Sequence, residues 1–173
     1  IRALSDKIKN SSPVDRQAIE EYNQMLSDMK EEPSKYIFGD KIKSIKKIGL
    51  SDINDPKLIE EFDGVLRRGG EIVTLKDGTR IAYDLFMDNI NDLYLSEFAV
   101  SKNSRKKNIG SNIINTIKKF SDESGLELNI EKITTSAKSF WKKMFPEYNG
   151  EDISYRYKPK SEPKISNSEP KYS

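Results

Sequence analysis

The chain contains no cysteine and no histidine. Without cysteine there are no disulfides, no thiolate nucleophile and no Cys-ligated metal, and nothing points to an oxidising compartment. Without histidine the commonest general base, the commonest nitrogen ligand and every Ser–His or Cys–His dyad are excluded. A metal site would have to be built from carboxylates. No apolar run approaches the length of a membrane span, and no signal peptide is visible. Charge of one sign is also missing: 30 Lys and Arg against 28 Asp and Glu leave +2. Any polyanion-binding patch must therefore be local.

What is present is a heavily charged chain of 173 residues, 34% charged and 35% hydrophobic, long enough for one domain with appendages. Its Lys-, Ile-, Asn- and Ser-rich usage fits an AT-rich genome, bacterial or viral. The expected location is the cytoplasm or a viral particle. Ile1 is not an initiator methionine, so the chain is expected to be a trimmed or processed piece of something longer. Three parts are expected: an N-terminal tether and helix over 1–34, a domain over 35–158, and a tail over 159–173. The tail repeats Ser161-Glu162-Pro163-Lys164 as Ser168-Glu169-Pro170-Lys171 and has almost nothing apolar. Such a segment does not fold alone and is expected to be disordered or held by a partner.

Within 1–34, Ser12 or Asp15 caps a helix whose Ile19, Tyr22, Met25, Leu26 and Met29 recur at helical spacing, with Pro33 as its stop. It reads as a packing helix or, alternatively, a partner-docking one. Tyr36 to Ile48 reads as extended. Asp55-Pro56 opens a second helix with Leu58, Ile59, Phe62, Val65 and Leu66 on one face, ended by Arg67-Arg68-Gly69-Gly70. Glu71–Leu75 and Thr79–Met87 read as strands joined by Lys76-Asp77-Gly78, a hairpin turn. A turn over Asp88–Asn91 leads to a third strand.

The densest signal lies in that third strand and in the turn and helix after it. Leu93, Leu95, Phe98 and Val100 are apolar, and the alternation slips between Leu95 and Phe98, which suits a bulge. Ser101 to Lys107 then carries Lys102, Arg105, Lys106 and Lys107 without an acid. Ile109, Ile113, Ile114, Ile117 and Phe120 share one helical face. A basic turn feeding a helix N-terminus favours an anion such as phosphate. Leu126, Leu128 and Ile130 form the next strand, parallel to the third by a right-handed crossover. Thr134 or Thr135 caps a helix with Ala137, Phe140, Trp141 and Met144 on one face, and Pro146 breaks it. Ile153, Tyr155 and Tyr157 alternate in a last strand.

Arg105-Lys106-Lys107-Asn108-Ile109-Gly110-Ser111 resembles the R/Q-x-x-G-x-G/A motif of the GNAT (N-acetyltransferase) superfamily. Leu95-Ser96-Glu97-Phe98-Ala99-Val100 resembles that family's preceding strand, and Ala137 to Met144 its A-x-x-F-Y-x-x-L helix. The resemblance covers roughly Ile42 to Lys158. It implies a GNAT-like α/β (α+β) fold: a mixed, mostly antiparallel central sheet flanked by helices, with a parallel strand pair at a cofactor cleft. It also implies acetyl-CoA as donor. Phe98, Ala99 and Val100 would pair with the pantetheine arm, and the amides of Arg105, Lys106, Lys107, Asn108, Ile109, Gly110 and Ser111 would wrap the pyrophosphate. Glu97 falls where some members place the base. Two positions depart from the pattern. Asn108 replaces the first motif glycine, although asparagine tolerates left-handed backbone. Trp141 stands where a tyrosine often donates a proton to the departing thiolate, leaving water or a tyrosine such as Tyr148. The usual glycine after this helix is also missing.

The function expected from the resemblance is direct acetyl transfer from acetyl-CoA to an amine, carried by a small molecule or a protein. The competing reading is an inactive GNAT-like domain acting as an interaction component, its N-terminal helix and C-terminal tail held by a protein partner. Aromatics do not interleave the basic turn, which weighs against nucleic acid, and no membrane partner is expected.

Overall fold

The computed structural model describes residues 16–89, 91–105 and 108–160. The expected helix cap at Ser12 or Asp15, the repeat-bearing tail, and Lys106 and Lys107 lie outside them. The element order is α1 (Arg16–Glu31), α2 (Pro33–Phe38), β1 (Ile42–Lys47), α3 (Leu50–Ile53), α4 (Pro56–Glu61), β2 (Glu71–Leu75), β3 (Arg80–Met87), β4 (Asp92–Val100), α5 (Ile109–Ser124), β5 (Glu127–Ile130), α6 (Lys138–Met144) and β6 (Tyr155–Tyr157). The six strands form one sheet in chain order, antiparallel except for the β4–β5 pair. This is the mixed, mostly antiparallel, helix-flanked sheet expected of a GNAT-like fold. No helix among the described residues is long and apolar enough to cross a membrane.

One face of the sheet carries most of the core. Val73, Ile81, Tyr83, Leu85, Leu93, Leu95 and Leu128 point there, and α1, α2, α5 and α6 pack on them. Helix α5 forms because its isoleucines repeat on one side. Ile114 and Ile117 are fully buried, each worth about 2–3 kcal/mol. Gly125, in left-handed backbone at φ 76°, stops it. Helix α1 adds Ala18, Tyr22, Leu26 and Met29 to the same core, so it is a packing helix. A buried polar contact anchors its neighbour α2. The Ser34 hydroxyl bridges Glu71 and Tyr83, and Lys47 Nζ balances Glu71 Oε2 at 3.1 Å. The other face is only part covered: Ile53, Leu58, Phe62, Val65 and Leu66 pack on Ile48, Ile72, Ala82 and Ala99.

Four element boundaries differ from the sequence pattern. Pro33 separates two helices rather than ending one, because proline is well suited to the first helical turn of α2. Only Ile42–Lys47 of the expected extended stretch is strand. Helix α4 stops at Glu61, not near Arg68, because Asp63 (φ 54°) and Gly64 (φ 75°) turn left-handed. Strand β6 is short, and Ile153 lies 71% exposed before it.

Candidate functional site

Strand β4 has two halves. Asp92 to Leu95 pair with Glu127 to Ile130, and the last rung is Glu131 N–H to the Leu95 carbonyl at 3.0 Å. Beyond Leu95 the two strands part. On its other side β4 stays paired with β3, but the register slips: Ala82 faces Ala99 and Asp84 faces Ser96, so Glu97 and Phe98 together oppose Tyr83. This is the bulge that the broken alternation predicts. It forces Glu97 to φ 54°, a backbone that glycine favours.

The parting leaves a cavity of about 520 Å³, lined by Phe98, Ala99, Val100, Arg105, Ile109, Gly110, Ser136, Ala137, Phe140 and Trp141. That volume lies within the range of small-ligand sites. Two walls come from β4 and from Arg105 with the start of α5. The third comes from the segment entering α6. Ser136 had no place in the expected site; Ala137, Phe140 and Trp141 were readable as one helical face, but not as a wall of this cavity. Glu97, Asn108 and Ser111 do not line it.

Asn108 adopts left-handed backbone (φ 67°, ψ 15°), as an asparagine can, and among the described residues no side chain caps α5. The first intrahelical bond runs from Asn112 N–H to the Asn108 carbonyl. The amides of Ile109, Gly110 and Ser111 therefore lie before the ladder, where helix N-termini attract anions. The nearest atoms to a Cβ added at Gly110 would be Phe140 Cε1 at 3.7 Å, Phe140 Cζ at 3.8 Å and Val100 Cγ2 at 3.8 Å, ordinary contacts. The packing thus does not demand glycine there; its absence of a side chain widens the cavity instead.

Arg105 does something the motif does not indicate. Its Nε donates to the Val100 carbonyl at 3.1 Å, and its Nη2 meets Asp63 Oδ2 at 2.5 Å. Lys102 Nζ reaches Asp63 Oδ1 at 3.2 Å and Glu60 Oε1 at 2.9 Å. Hydrogen bonds from Arg105 and then Lys102 hold the Asp63 carboxyl below its ordinary range. Arg105 and Lys102 therefore clip the turn after β4 to the turn after α4. Trp141 is buried in a run of rings, 6.2 Å from Phe98, 5.0 Å from Phe140 and 6.2 Å from Phe145. Tyr148 is no substitute donor: it is buried, outside the cavity lining, and its hydroxyl donates to the Asp152 carbonyl. Burial, with Asp152 and Glu151 adding, raises its phenol above the ordinary value.

The chain matches no protein-family model, no curated protein and no solved structure.

Proposed function

We propose that the chain is a GNAT-like acyl-CoA-dependent N-acyltransferase with acetyl-CoA as donor. The observation that carries this reading is the parted upper half of β4. Among the described residues its outer edge, Phe98 to Val100, has no partner strand, only Arg105 Nε on the Val100 carbonyl, and it shares a cavity with the start of α5, which no described side chain caps. An extended amide-bearing arm needs an unpaired strand edge, and a pyrophosphate needs helix-end amides. Both lie along one cavity, and Gly110 keeps the passage between them wide. The donor supplies an activated acyl group, which an amine takes by direct attack while CoA leaves as the thiol. Glu97 is the candidate base, held at the bulge where the strands separate. Positioning of the amine carries the rest of the rate.

The test is calorimetry of the folded protein with CoA and acetyl-CoA. Binding is expected, and its absence sinks the reading. Gly110→Ala sharpens the result. Glycine in a helix is disfavoured by about 0.5–1 kcal/mol relative to alanine, so the variant should be no less stable in denaturation. It should nonetheless bind CoA more weakly. Loss of stability with unchanged binding would make Gly110 a packing residue.

The second reading, an interaction domain without activity, is favoured by Trp141. Its indole N–H is a far poorer acid than the phenol that the family resemblance puts at this place. Under that reading CoA binds without any amine being acylated.

A further inference from the structure

The run of rings that walls the first cavity continues into a second one. Trp141 lines the first, and its ring stacks on Phe145 with centroids 6.2 Å apart. Phe145 lines a separate cavity of about 520 Å³ between the second half of α5, the turn after α6 and strand β6. The alternation of β6 builds its wall. Tyr155 and Tyr157 both meet Phe145, with centroids 5.4 and 5.3 Å away. Arg156, between them, is engaged with Asn129 Oδ1 at 2.9 Å and Glu127 Oε2 at 3.3 Å. Asp122 of α5 fastens the end of this strand, accepting from the Tyr157 hydroxyl at 2.7 Å and the Lys160 N–H at 2.9 Å.

Charge is distributed unevenly along this wall. Lys118 follows the buried Ile117 on α5 and lays its ammonium over two rings, 5.1 Å from the Phe145 centroid and 5.0 Å from that of Tyr157. It makes no ion pair among the described residues. Its hydrogen bond there, to the Met144 carbonyl, is 3.4 Å long. An ammonium carries three donors, so two are left without a protein acceptor. Lys158 and Lys160 line the same end, beyond Tyr157, and make no ion pair among the described residues either. The carboxylate on the lining is Glu147, also without an ion pair among those residues. It acts at the other end: burial first, and then Glu147, raises the Tyr155 phenol above its ordinary value. On Tyr157 its effect comes last, after burial, Asp122 and Tyr155.

We propose that this cavity binds a small organic phosphate monoester. The phosphate sits among Lys118, Lys158 and Lys160, and an uncharged ring-bearing body lies along Tyr155 and Pro146 with a donor group toward Glu147. The proposal does not depend on the acyl-CoA reading. Lysine meets phosphate as a point charge, and hydrogen bonds between ionised partners are the strong ones. The volume is in the range of small-ligand sites and far exceeds a bare phosphate, so most of it belongs to the body. A ring suits a wall made of rings, through stacked or edge contacts. A second anionic group on the body would meet Glu147 and be repelled. Nucleoside monophosphates and simple aryl phosphates share this chemistry.

The experiment is calorimetry of the full chain with adenosine 5′-monophosphate, phenyl phosphate and inorganic phosphate. At least one ring phosphate should bind roughly tenfold more tightly than inorganic phosphate, and Lys118→Met should weaken that binding roughly tenfold. The double variant Lys158→Gln with Lys160→Gln changes two exposed side chains, so it tests the site even if Lys118→Met does not fold. It should weaken binding several-fold. Tighter binding of the nucleotide assigns nucleotides as the source, and tighter binding of phenyl phosphate assigns simple aryl phosphates. Inorganic phosphate bound as tightly as both ring phosphates would reduce the cavity to a charged surface and overturn the proposal. Binding that neither lysine variant alters, or no heat from any probe at millimolar concentration, would overturn it too. Displacement by CoA, with Lys118→Met having no effect, would move the phosphate to the start of α5 and leave this cavity without a ligand.

Discussion

The two halves of β4 make opposite use of one strand. From Leu93 to Leu95 it is paired on both sides, and Leu93 and Leu95 are fully buried. From Ser96 to Val100 it is paired on one side only, carries a bulge and a left-handed glutamate, and shows Phe98 and Val100 to a cavity. The first half holds the sheet together; the second gives up a ladder and carries backbone strain where the cavity opens. If the cavity binds as proposed, stability and binding are separable along nine residues.

The largest effect belongs to the paired half. Leu95→Ala removes a fully buried side chain and should lower stability by about 2–5 kcal/mol in chemical denaturation. If the refolded variant still binds CoA at saturating protein, the separation of roles holds. In the parted half the sign reverses. Glu97→Gly relieves a left-handed backbone that disfavours a side chain by roughly 1–2 kcal/mol, so the variant should gain up to about that much stability while acyl transfer falls. A loss of stability would mean that the glutamate side chain supports the bulge. The smallest effect lies in the clip below the cavity. Asp63 has its carboxyl below the ordinary 3.8, by hydrogen bonds from Arg105 and Lys102. A depressed folded-state value contributes stability above the unfolded value and loses it as pH falls through the folded one. The clip should therefore weaken only in acid, below about pH 4. Asp63→Asn should flatten that acid limb slightly, because surface ion pairs contribute little. An unchanged limb would assign the acid sensitivity to other carboxylates.

Much of the fold was readable from short-range pattern. The isoleucine spacing gave α5, the turn Lys76-Asp77-Gly78 gave the β2–β3 hairpin, and the slip between Leu95 and Phe98 gave the bulge. These features are local, and each has one cause. The failures involve residues far apart in sequence. Val65 and Leu66 continue a helical stripe, but the chain turns at Asp63 and Gly64, where Asp63 meets Arg105 and Lys102 from the turn after β4. The cavity wall at Ser136 to Trp141 joins Phe98 only after α5 and β5 have crossed back. No local spacing records that Arg105 would bond Val100 and Asp63 instead of standing free.

The Ser34–Glu71–Tyr83 contact has a consequence for the order of assembly. Ser34 leaves the ribosome well before its partners, which lie 37 and 49 residues further on. The buried side of α1 likewise awaits β3. During synthesis the first helices must therefore remain exposed until the β2–β3 hairpin emerges. At 5–20 residues per second, roughly the usual elongation rate, that is a wait of several seconds. A chaperone that covers apolar helices would find its window there, and substitutions that make α1 more polar on its buried side would shorten the hazard at the expense of the finished core.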